Sequence, residues 1–282
     1  MSRPLISVII PLYNKEDCIV KTIESITKQD CDDYEIVVVD DGSTDKSVSI
    51  IQNMGYEKIR IFHKKNGGPA SARNYGVVNA TGKWGLFLDA DDYLEPHALK
   101  ILESLVNKEP GCEFFCCNHY IQFGEEKMLF STKFKDGYVC DNFFAYKTKR
   151  IRPRAGAALF SMRLLRDYPY NEQLWRYEDA DCVFNIMRSV KAYTCSLPIM
   201  TYNRNKSDAS KPRNNVEEDY IGHLSYKGKN CWEQLMLYDL YLQGCQLYPK
   251  EMKRLYGSQR MCNCKIWICK KIITLLTIIG YI

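Results

Sequence analysis

The sequence has no G-x-G-x-x-G fingerprint after its first apolar run and no G-x-x-x-x-G-K-[ST] anywhere along its 282 residues. Dinucleotide-dependent redox chemistry and P-loop phosphoryl transfer therefore lose the backbone cradles they rely on. Long apolar runs are missing too. The charge-free stretch from Ile272 to Ile282 holds eleven residues, about half of the twenty that a bilayer-spanning helix needs. Charge of one sign is not in strong excess: 39 basic against 34 acidic residues leave a net charge of +5. That is too mild to argue for nucleic acid, although it suits an anionic ligand or a membrane surface. The thirteen cysteines are an odd number and are scattered rather than framed. Cys116-Cys117 and Cys262-Asn263-Cys264 lack zinc spacing, and no signal-peptide pattern precedes them, so reduced thiols in the cytosol are expected.

What is present reads as an ordinary folded chain, 46% hydrophobic and 26% charged. Its length suits one large α/β domain, or a domain of about 200 residues with an appendage. Ile6-Ser7-Val8-Ile9-Ile10-Pro11 is a β-branched run that predicts a buried first strand ending at proline. Cys18, Ile19, Ile23 and Ile26 follow at helical spacing. Tyr34 to Val39 predicts a second strand. It meets Asp40-Asp41-Gly42-Ser43-Thr44-Asp45, whose Gly-Ser-Thr turn is suited to cap the next helix. Lys58 to Phe62 predicts a third. Strand, helix, strand, helix, strand is the doubly wound α/β pattern with right-handed crossovers and a parallel sheet.

The chemistry concentrates in Gly82-Lys83-Trp84-Gly85-Leu86-Phe87-Leu88-Asp89-Ala90-Asp91-Asp92. Trp84 to Leu88 is apolar enough to be a central strand covered on both faces. Open α/β sheets place ligands at such carboxyl ends. Three acids crowded there repel and raise one another's pKa unless a cation sits among them, and hard oxygen ligands favour Mg²⁺ or Mn²⁺. The competing reading is an acidic loop before a helix opened by Pro96. Upstream, Asn66-Gly67-Gly68-Pro69-Ala70-Ser71-Ala72-Arg73-Asn74-Tyr75-Gly76 is a turn running into a helix, whose backbone N–H groups and Arg73 can face an anion.

These motifs in this order, Ser7 to Asn14, Val39 to Asp45, Asn66 to Gly68 with Ala72-Arg73-Asn74, and Leu88 to Asp92, resemble the family 2 glycosyltransferases. The resemblance is close over residues 5 to about 105 and weaker to about 210. It implies a GT-A fold, a nucleotide-sugar donor, inversion at the anomeric carbon and help from a divalent metal, Mg²⁺ or Mn²⁺. By matching position, Pro11, Tyr13 and Asp41 hold the nucleobase with Arg73 nearby, Asp89 meets the ribose, and Asp91 the metal. A carboxylate such as Asp41 can accept the imide N–H of uracil, and Tyr13 offers a flat face for stacking. Each has a plainer alternative: Tyr13 packing on a loop, Asp41 capping a helix, Arg73 pairing with a helix carboxylate.

Beyond residue 105 the pattern loosens. Cys112 to Phe123 and Lys127 to Phe134 predict a hairpin continuing the sheet in mixed sense, and Asp141 to Lys149 a short helix. In the family, the region of Gly156 to Phe160 lines the acceptor side. Trp175-Arg176-Tyr177-Glu178-Asp179-Ala180-Asp181 resembles the family's Glu-Asp motif, which implies Asp179 as catalytic base at a helix start, with Asp181 competing on the same turn. Thr201 to Asp208 resembles the family's Tyr-x-Arg with a downstream serine, which implies that Arg204 reaches the diphosphate through a fork that lysine cannot copy.

Together these imply an α/β GT-A type domain over residues 1–210, its nucleotide-sugar-binding half ending near 105 and its acceptor-side half following. A helical appendage is expected over 211–282. The expected activity is metal-dependent inverting transfer from a nucleotide sugar, UDP-linked, to a hydroxyl of a saccharide acceptor in bacterial surface polysaccharide or glycan synthesis. A nucleotidyltransferase of similar fold would want a glycine-rich basic loop after the first strand, where Pro11-Leu12-Tyr13-Asn14 stands. A non-catalytic sugar-nucleotide or glycan-binding module would need no base. The tail, with Lys265, Lys270 and Lys271 around Trp267, either lies on anionic lipid or packs on the domain. In the first case a polyprenyl-linked acceptor at the inner face of the membrane follows.

Overall fold

The computed structural model of the chain describes residues 4–204, 215–225, 229–257 and 264–278. The elements run β1 (Ile6–Leu12), α1 (Ile19–Thr27), β2 (Tyr34–Asp40), α2 (Ser47–Met54), β3 (Ile59–His63), α3 (Gly68–Asn79), β4 (Trp84–Phe87), β5 (Tyr93–Leu94), α4 (Ala98–Lys108), β6 (Phe114–Phe123), β7 (Glu126–Leu129), β8 (Gly137–Tyr138), α5 (Asn142–Lys147), β9 (Ala158–Ser161), α6 (Met162–Asp167), α7 (Glu178–Ser189), β10 (Tyr193–Asn203), α8 (Cys231–Leu247), α9 (Pro249–Tyr256) and α10 (Cys264–Ile278).

The main sheet has the order β3-β2-β1-β4-β9-β6-β10-β5. Its first four strands are parallel, as the alternation of strand and helix predicts. β9 then inserts antiparallel between β4 and β6, and β7 returns antiparallel along β6 as the expected hairpin. Helices cover both faces. Ile9, Val37, Val39 and Phe87 point into one core with α3, α6 and α7, while Val8, Ile10, Ile36, Val38 and Leu86 point into the other with α1 and α4. Because both faces are buried, Val8 to Ile10, Ile36 to Val39 and Trp84 to Phe87 run without polar alternation, whereas the edge strand β3 exposes Arg60 and His63.

Two strand ends differ from expectation for physical reasons. β1 continues through Pro11 to Leu12, because β2 pairs with it to the end whereas β4 pairs only as far as Ile9. The Ile9 carbonyl accepts from Leu88 on the β4 side. Two residues on, the missing Pro11 N–H faces that same side, where no strand remains to be served. The Gly42-Ser43-Thr44 turn does not cap α2. Instead the Asn14 amide donates to Ser43 Oγ at 3.1 Å and the Thr44 amide to Asn14 Oδ1 at 2.8 Å, so this turn pins the loop that carries Tyr13.

Downstream of β10, the apolar residues Val216, Ile221, Leu224, Met236, Leu237, Met252 and Tyr256 join the first core. α10 lies against α8 through Cys269 and Ile273 around Leu235, with the Lys270 ammonium 4.1 Å from the centre of the Tyr238 ring. Its other side exposes Trp267, Ile268, Ile272 and Leu275. Among the described residues no helix is long and apolar enough to cross a membrane. Residues 279–282 lie outside the described residues, as does Cys262. The cysteines from Cys18 to Cys269 whose state is described are free thiols.

Candidate active site

Parallel neighbours β2, β1 and β4 bring their carboxyl ends side by side, which gathers the predicted donor residues along one edge. Pro11 is the next-to-last residue of β1, opposite Val39. Tyr13 stands 47% exposed just beyond it, its ring open for stacking. Asp41 is 4% exposed. Its Oδ1 accepts from Lys64 Nζ at 2.6 Å and from the Gly67 amide at 3.0 Å, and its Oδ2 from the Gly68 amide at 2.8 Å. Asp41 thus closes the N-terminus of α3 rather than that of α2, a position the macrodipole favours. Gly68 has φ +86°, and a Cβ there would meet the Trp175 ring at 3.0 Å. Only glycine allows this turn and that ring to coexist.

After β4 the chain turns sharply, with the Asp92 amide donating to the Asp89 carbonyl. This turn spreads the three carboxylates onto different partners. Asp89 Oδ1 accepts from Arg73 at 2.8 Å. Asp91 Oδ2 accepts from Lys15 Nζ at 2.8 Å, with Asp91 only 11% exposed. Burial, then the Asp89 charge, raises the Asp91 carboxyl above its usual value, while Lys15 opposes the rise. Asp92 is turned inward at 1% exposure, its Oδ1 accepting from the Asn203 amide at 2.8 Å.

Asp92 Oδ2 is buried without a hydrogen-bond partner, and burial followed by the Asp89 charge pushes its pKa well above the carboxylate range. A carboxyl with a higher pKa folded than unfolded favours the fold while protonated and loses that contribution as pH rises through the folded value. Asp92→Asn should therefore raise the Tm of the ligand-free protein. The gain should be small near pH 4, about where an unfolded aspartate titrates, and should widen toward pH 8. Thermal unfolding across that range checks it, and a gain independent of pH would contradict the assignment.

Arg73, 6% exposed, ties the two halves of the site together. Its guanidinium donates to Asp89 on one side and to Glu178 Oε1, at 2.8 Å, on the other. Burial works against its charge, yet Asp89, Tyr170 and Glu178 outweigh burial and lift its pKa well above the usual arginine value. Of the sequence alternatives for Arg73, pairing with a helix carboxylate is thus present in the structure. The segment carrying Glu178 is held to α3 by reciprocal bonds between Asn74 and the Tyr170 backbone, both 2.9 Å. The Arg176–Asp219 ion pair at 2.9 Å anchors its far end. α7 then starts from Tyr177, in the left-handed region at φ 56°, where a non-glycine residue is uncommon and marks an imposed geometry.

Asp179, exposed at the second position of α7, lines a pocket with Arg73, Phe87, Asp89, Arg154 and Tyr170. Asp181 is not among the pocket walls, and its carboxyl is raised by burial while Arg188, His223 and Lys229 lower it. Arg204 follows Asn203 beyond β10, its guanidinium 5.9 Å from the centre of the Phe123 ring. The Asn203 amide holds Asp92, so Arg204 follows directly on the residue that contacts the acidic turn, without lining the pocket. The downstream serine, Ser207, lies outside the described residues.

Lys15, Lys64 and Arg154 are the site residues that sequence reasoning passed over, and Glu178 stood in its motif without a role of its own. Lys15 follows the Tyr13-Asn14 pair directly, and Arg154 ends a dense basic run, so both carried a visible local signal. Among the described residues no group of three or more His, Cys, Asp or Glu side chains is arranged to hold a metal ion. Mg²⁺, however, usually binds through one or two carboxylates plus substrate phosphates. Asp91, buried beside the like-charged Asp89 and already drawing an ammonium, fits that mode.

Residues 7–174 match the family model described as Glycosyl transferase family 2. The chain belongs to that family. This family 2 chain is 45% identical over 97 residues to an uncharacterized glycosyltransferase of Rickettsia felis, a match covering 34% of this chain and 16% of that one. It is 38% identical over 115 residues to the chondroitin synthase of Pasteurella multocida, covering 39% and 12%. It thus spans less than a fifth of the length of either relative. The structure of S. aureus TarS in complex with UDP superposes with a TM-score of 0.68 at 20% identity, covering 89% of this chain and 75% of that one. TarS has also been seen with UDP-GlcNAc, at a TM-score of 0.67. The fold is therefore of GT-A type, as its sequence motifs imply.

Proposed function

We propose that this chain is an inverting glycosyltransferase that moves a sugar from a UDP-linked donor to a hydroxyl of a saccharide acceptor in bacterial surface glycan synthesis. The observation that carries this reading is a pocket lined by both Asp89, from the donor edge of the sheet, and Asp179, from the start of α7. A binding module has no use for a carboxylate poised opposite the donor site. The UDP and UDP-GlcNAc complexes of TarS support a nucleotide-sugar donor for this fold.

In the proposed reaction Tyr13 stacks on the base beside Pro11 and Asp41, Asp89 takes the ribose, and Arg204 reaches the diphosphate. Asp179 accepts the proton of the acceptor hydroxyl as its oxygen attacks the anomeric carbon. The bond from that carbon to the phosphate oxygen breaks on the opposite face, and UDP leaves with the bonding pair. A divalent cation bound at Asp91 supplies neutralisation of the charge growing on the diphosphate. Before donor arrives, Lys15 balances Asp91 in its place.

Asp91→Ala tests this reading. It should abolish Mg²⁺- or Mn²⁺-dependent binding of UDP in calorimetry while leaving the fold intact, since β4 is held by apolar burial. Metal-dependent affinity that survives the change would defeat the assignment. The exposed face of α10, with Trp267, Ile268, Ile272 and Leu275 beside Lys271, has the composition of an interfacial helix. Part of the same reading is that it rests on anionic lipid at the cytoplasmic surface, near a polyprenyl-held acceptor. Full-length protein should sediment with anionic vesicles and a chain ending at Tyr256 should not; equal behaviour of the two refutes the contact.

A further inference from the structure

The stretch Lys147-Thr148-Lys149-Arg150-Ile151-Arg152-Pro153-Arg154 carries five basic residues in eight, and it descends into the pocket. Lys147 is paired with Asp239, and Ile151 is fully buried. The chain then delivers Pro153 and Arg154 to the pocket wall, facing the space that Asp179 also lines.

Several other guanidiniums among the described residues pair with carboxylates. Arg60 meets Glu35, Arg73 meets Asp89 and Glu178, Arg176 meets Asp219, and Arg188 meets Glu233. Arg152 and Arg154 have no such ion pair among the described residues. Arg152 donates to the Tyr146 hydroxyl and lies 4.7 Å from the centre of its ring. Arg154 lies over Tyr202, 3.7 Å from the ring centre, and its Nε is buried with no hydrogen-bond partner. His119 is fully buried beside them, both ring nitrogens unpartnered, its pKa brought down to about 3 by burial and then by Arg154 and Arg152. It is neutral and balances none of their charge. Two aromatic-backed guanidiniums without a carboxylate partner, Arg154 on the pocket wall that Asp179 shares and Arg152 two residues before it, are an arrangement that recognises a planar or tetrahedral oxyanion.

We propose that Arg152 and Arg154 bind an anionic group, a carboxylate or a phosphate, carried by the saccharide acceptor, and so orient its hydroxyl toward Asp179. This rests on the glycosyl-transfer reading above and names the acceptor class it takes: acidic rather than neutral saccharides. The donor diphosphate is the other possible source of such an anion. The pocket is lined from both halves, by Arg73, Phe87 and Asp89 as well as by Pro153, Ala155, Asp179 and Val183. The proposal assigns Arg154 to the acceptor because Tyr13, Asp41 and Asp91, which the glycosyl-transfer reading gives to the donor nucleotide and its metal, lie outside that pocket, and the measurement of UDP affinity tests the assignment.

The test uses the full chain with UDP-sugars and matched acceptor pairs, neutral oligosaccharides against their uronate-bearing and phosphorylated counterparts, with UDP release as the readout and UDP affinity measured separately by calorimetry. Acidic acceptors should stimulate release and neutral ones should not, and whichever acidic series works identifies the anion. Arg152→Gln and Arg154→Gln should each raise acceptor KM about 10- to 100-fold, the range of a lost charge-assisted hydrogen bond, with UDP affinity unchanged. Arg154→Lys, which keeps charge without the fork, should fall between, and thermal unfolding confirms that each variant is folded. Equal use of neutral and acidic acceptors overturns the proposal. So does a fall in UDP affinity in the glutamine variants, which would return both arginines to the donor. A wild-type chain that binds no UDP strikes the glycosyl-transfer reading itself, so the two failures are told apart.

Discussion

Asp179→Asn is expected to lower turnover by about 10²- to 10⁴-fold while leaving donor affinity nearly unchanged. Asparagine keeps the size of the side chain and its Oδ1, which accepts from the Ala180 amide at 2.8 Å, so α7 should start as before. It loses only the ability to take a proton. Without a base, the acceptor hydroxyl must attack still protonated, and the positive charge developing on its oxygen goes unrelieved in a single-step displacement. Asp181→Asn is the internal comparison. Its carboxyl faces Arg188, His223 and Lys229 rather than the pocket, so its loss should cost far less. UDP release under saturating donor and acceptor, alongside UDP calorimetry, decides between them; a reversed order of effects would mean that the motif is read two residues out of register.

What could be read from the sequence and what could not divide along the range of the interactions involved. Parallel strands buried on both faces write themselves as uninterrupted apolar runs, so β1, β2 and β4 and the acids at their ends were visible locally. The Glu-Asp start of α7 was visible for the same reason, as a short motif before a helical pattern. The insertion of β9 between β4 and β6 was not, because strand order is decided by which edges meet after collapse. The partners of the acids were equally hidden. Lys15 and Asp91 stand 76 positions apart and Arg73 and Glu178 stand 105 apart, and no local pattern encodes such a pairing. The turn at Gly42 shows the converse error: a local capping signal that was present and unused, because Asn14 from a neighbouring loop reached the same groups first.

Asp41 shows a helix-closing role that is compatible with the function proposed for it. Its carboxylate is spent on the Gly67 and Gly68 amides and on Lys64, which is the helix-capping alternative moved to a different helix. The same bonds fix its position beside Tyr13, where a carboxylate has remaining lone pairs for an imide N–H. Arg73 behaves similarly. The expectation set it near the nucleobase; the structure makes it the strut between Asp89 and the start of α7.

That strut gives the largest stability effect to be expected from a single change in the site. Arg73→Met preserves much of the side chain's length and its packing on the Tyr170 ring, 5.3 Å from the guanidinium, but strips two carboxylates of their partner. Breaking a buried ion pair costs about 3–5 kcal/mol, because a charge is left uncompensated. Here the lower end applies, since Asp89 is 34% exposed and regains water while Glu178, at 11%, does not. About 3 kcal/mol corresponds to a Tm drop of roughly 6–12 °C in a domain of this size. The loss should depend on pH in a stated direction. Burial already raises the Glu178 carboxyl, with Arg73 opposing. Without Arg73 it rises further, so protonation removes the unpaired charge and the penalty shrinks as pH falls from 8 toward 5. Arg73→Met/Glu178→Gln should recover part of the loss at pH 8 and little at pH 5, because the two residues interact directly and their effects do not add. Unfolding monitored by circular dichroism at both pH values checks this, and a penalty that stays constant, or that the second substitution deepens, would show that Arg73 supports the fold by packing alone.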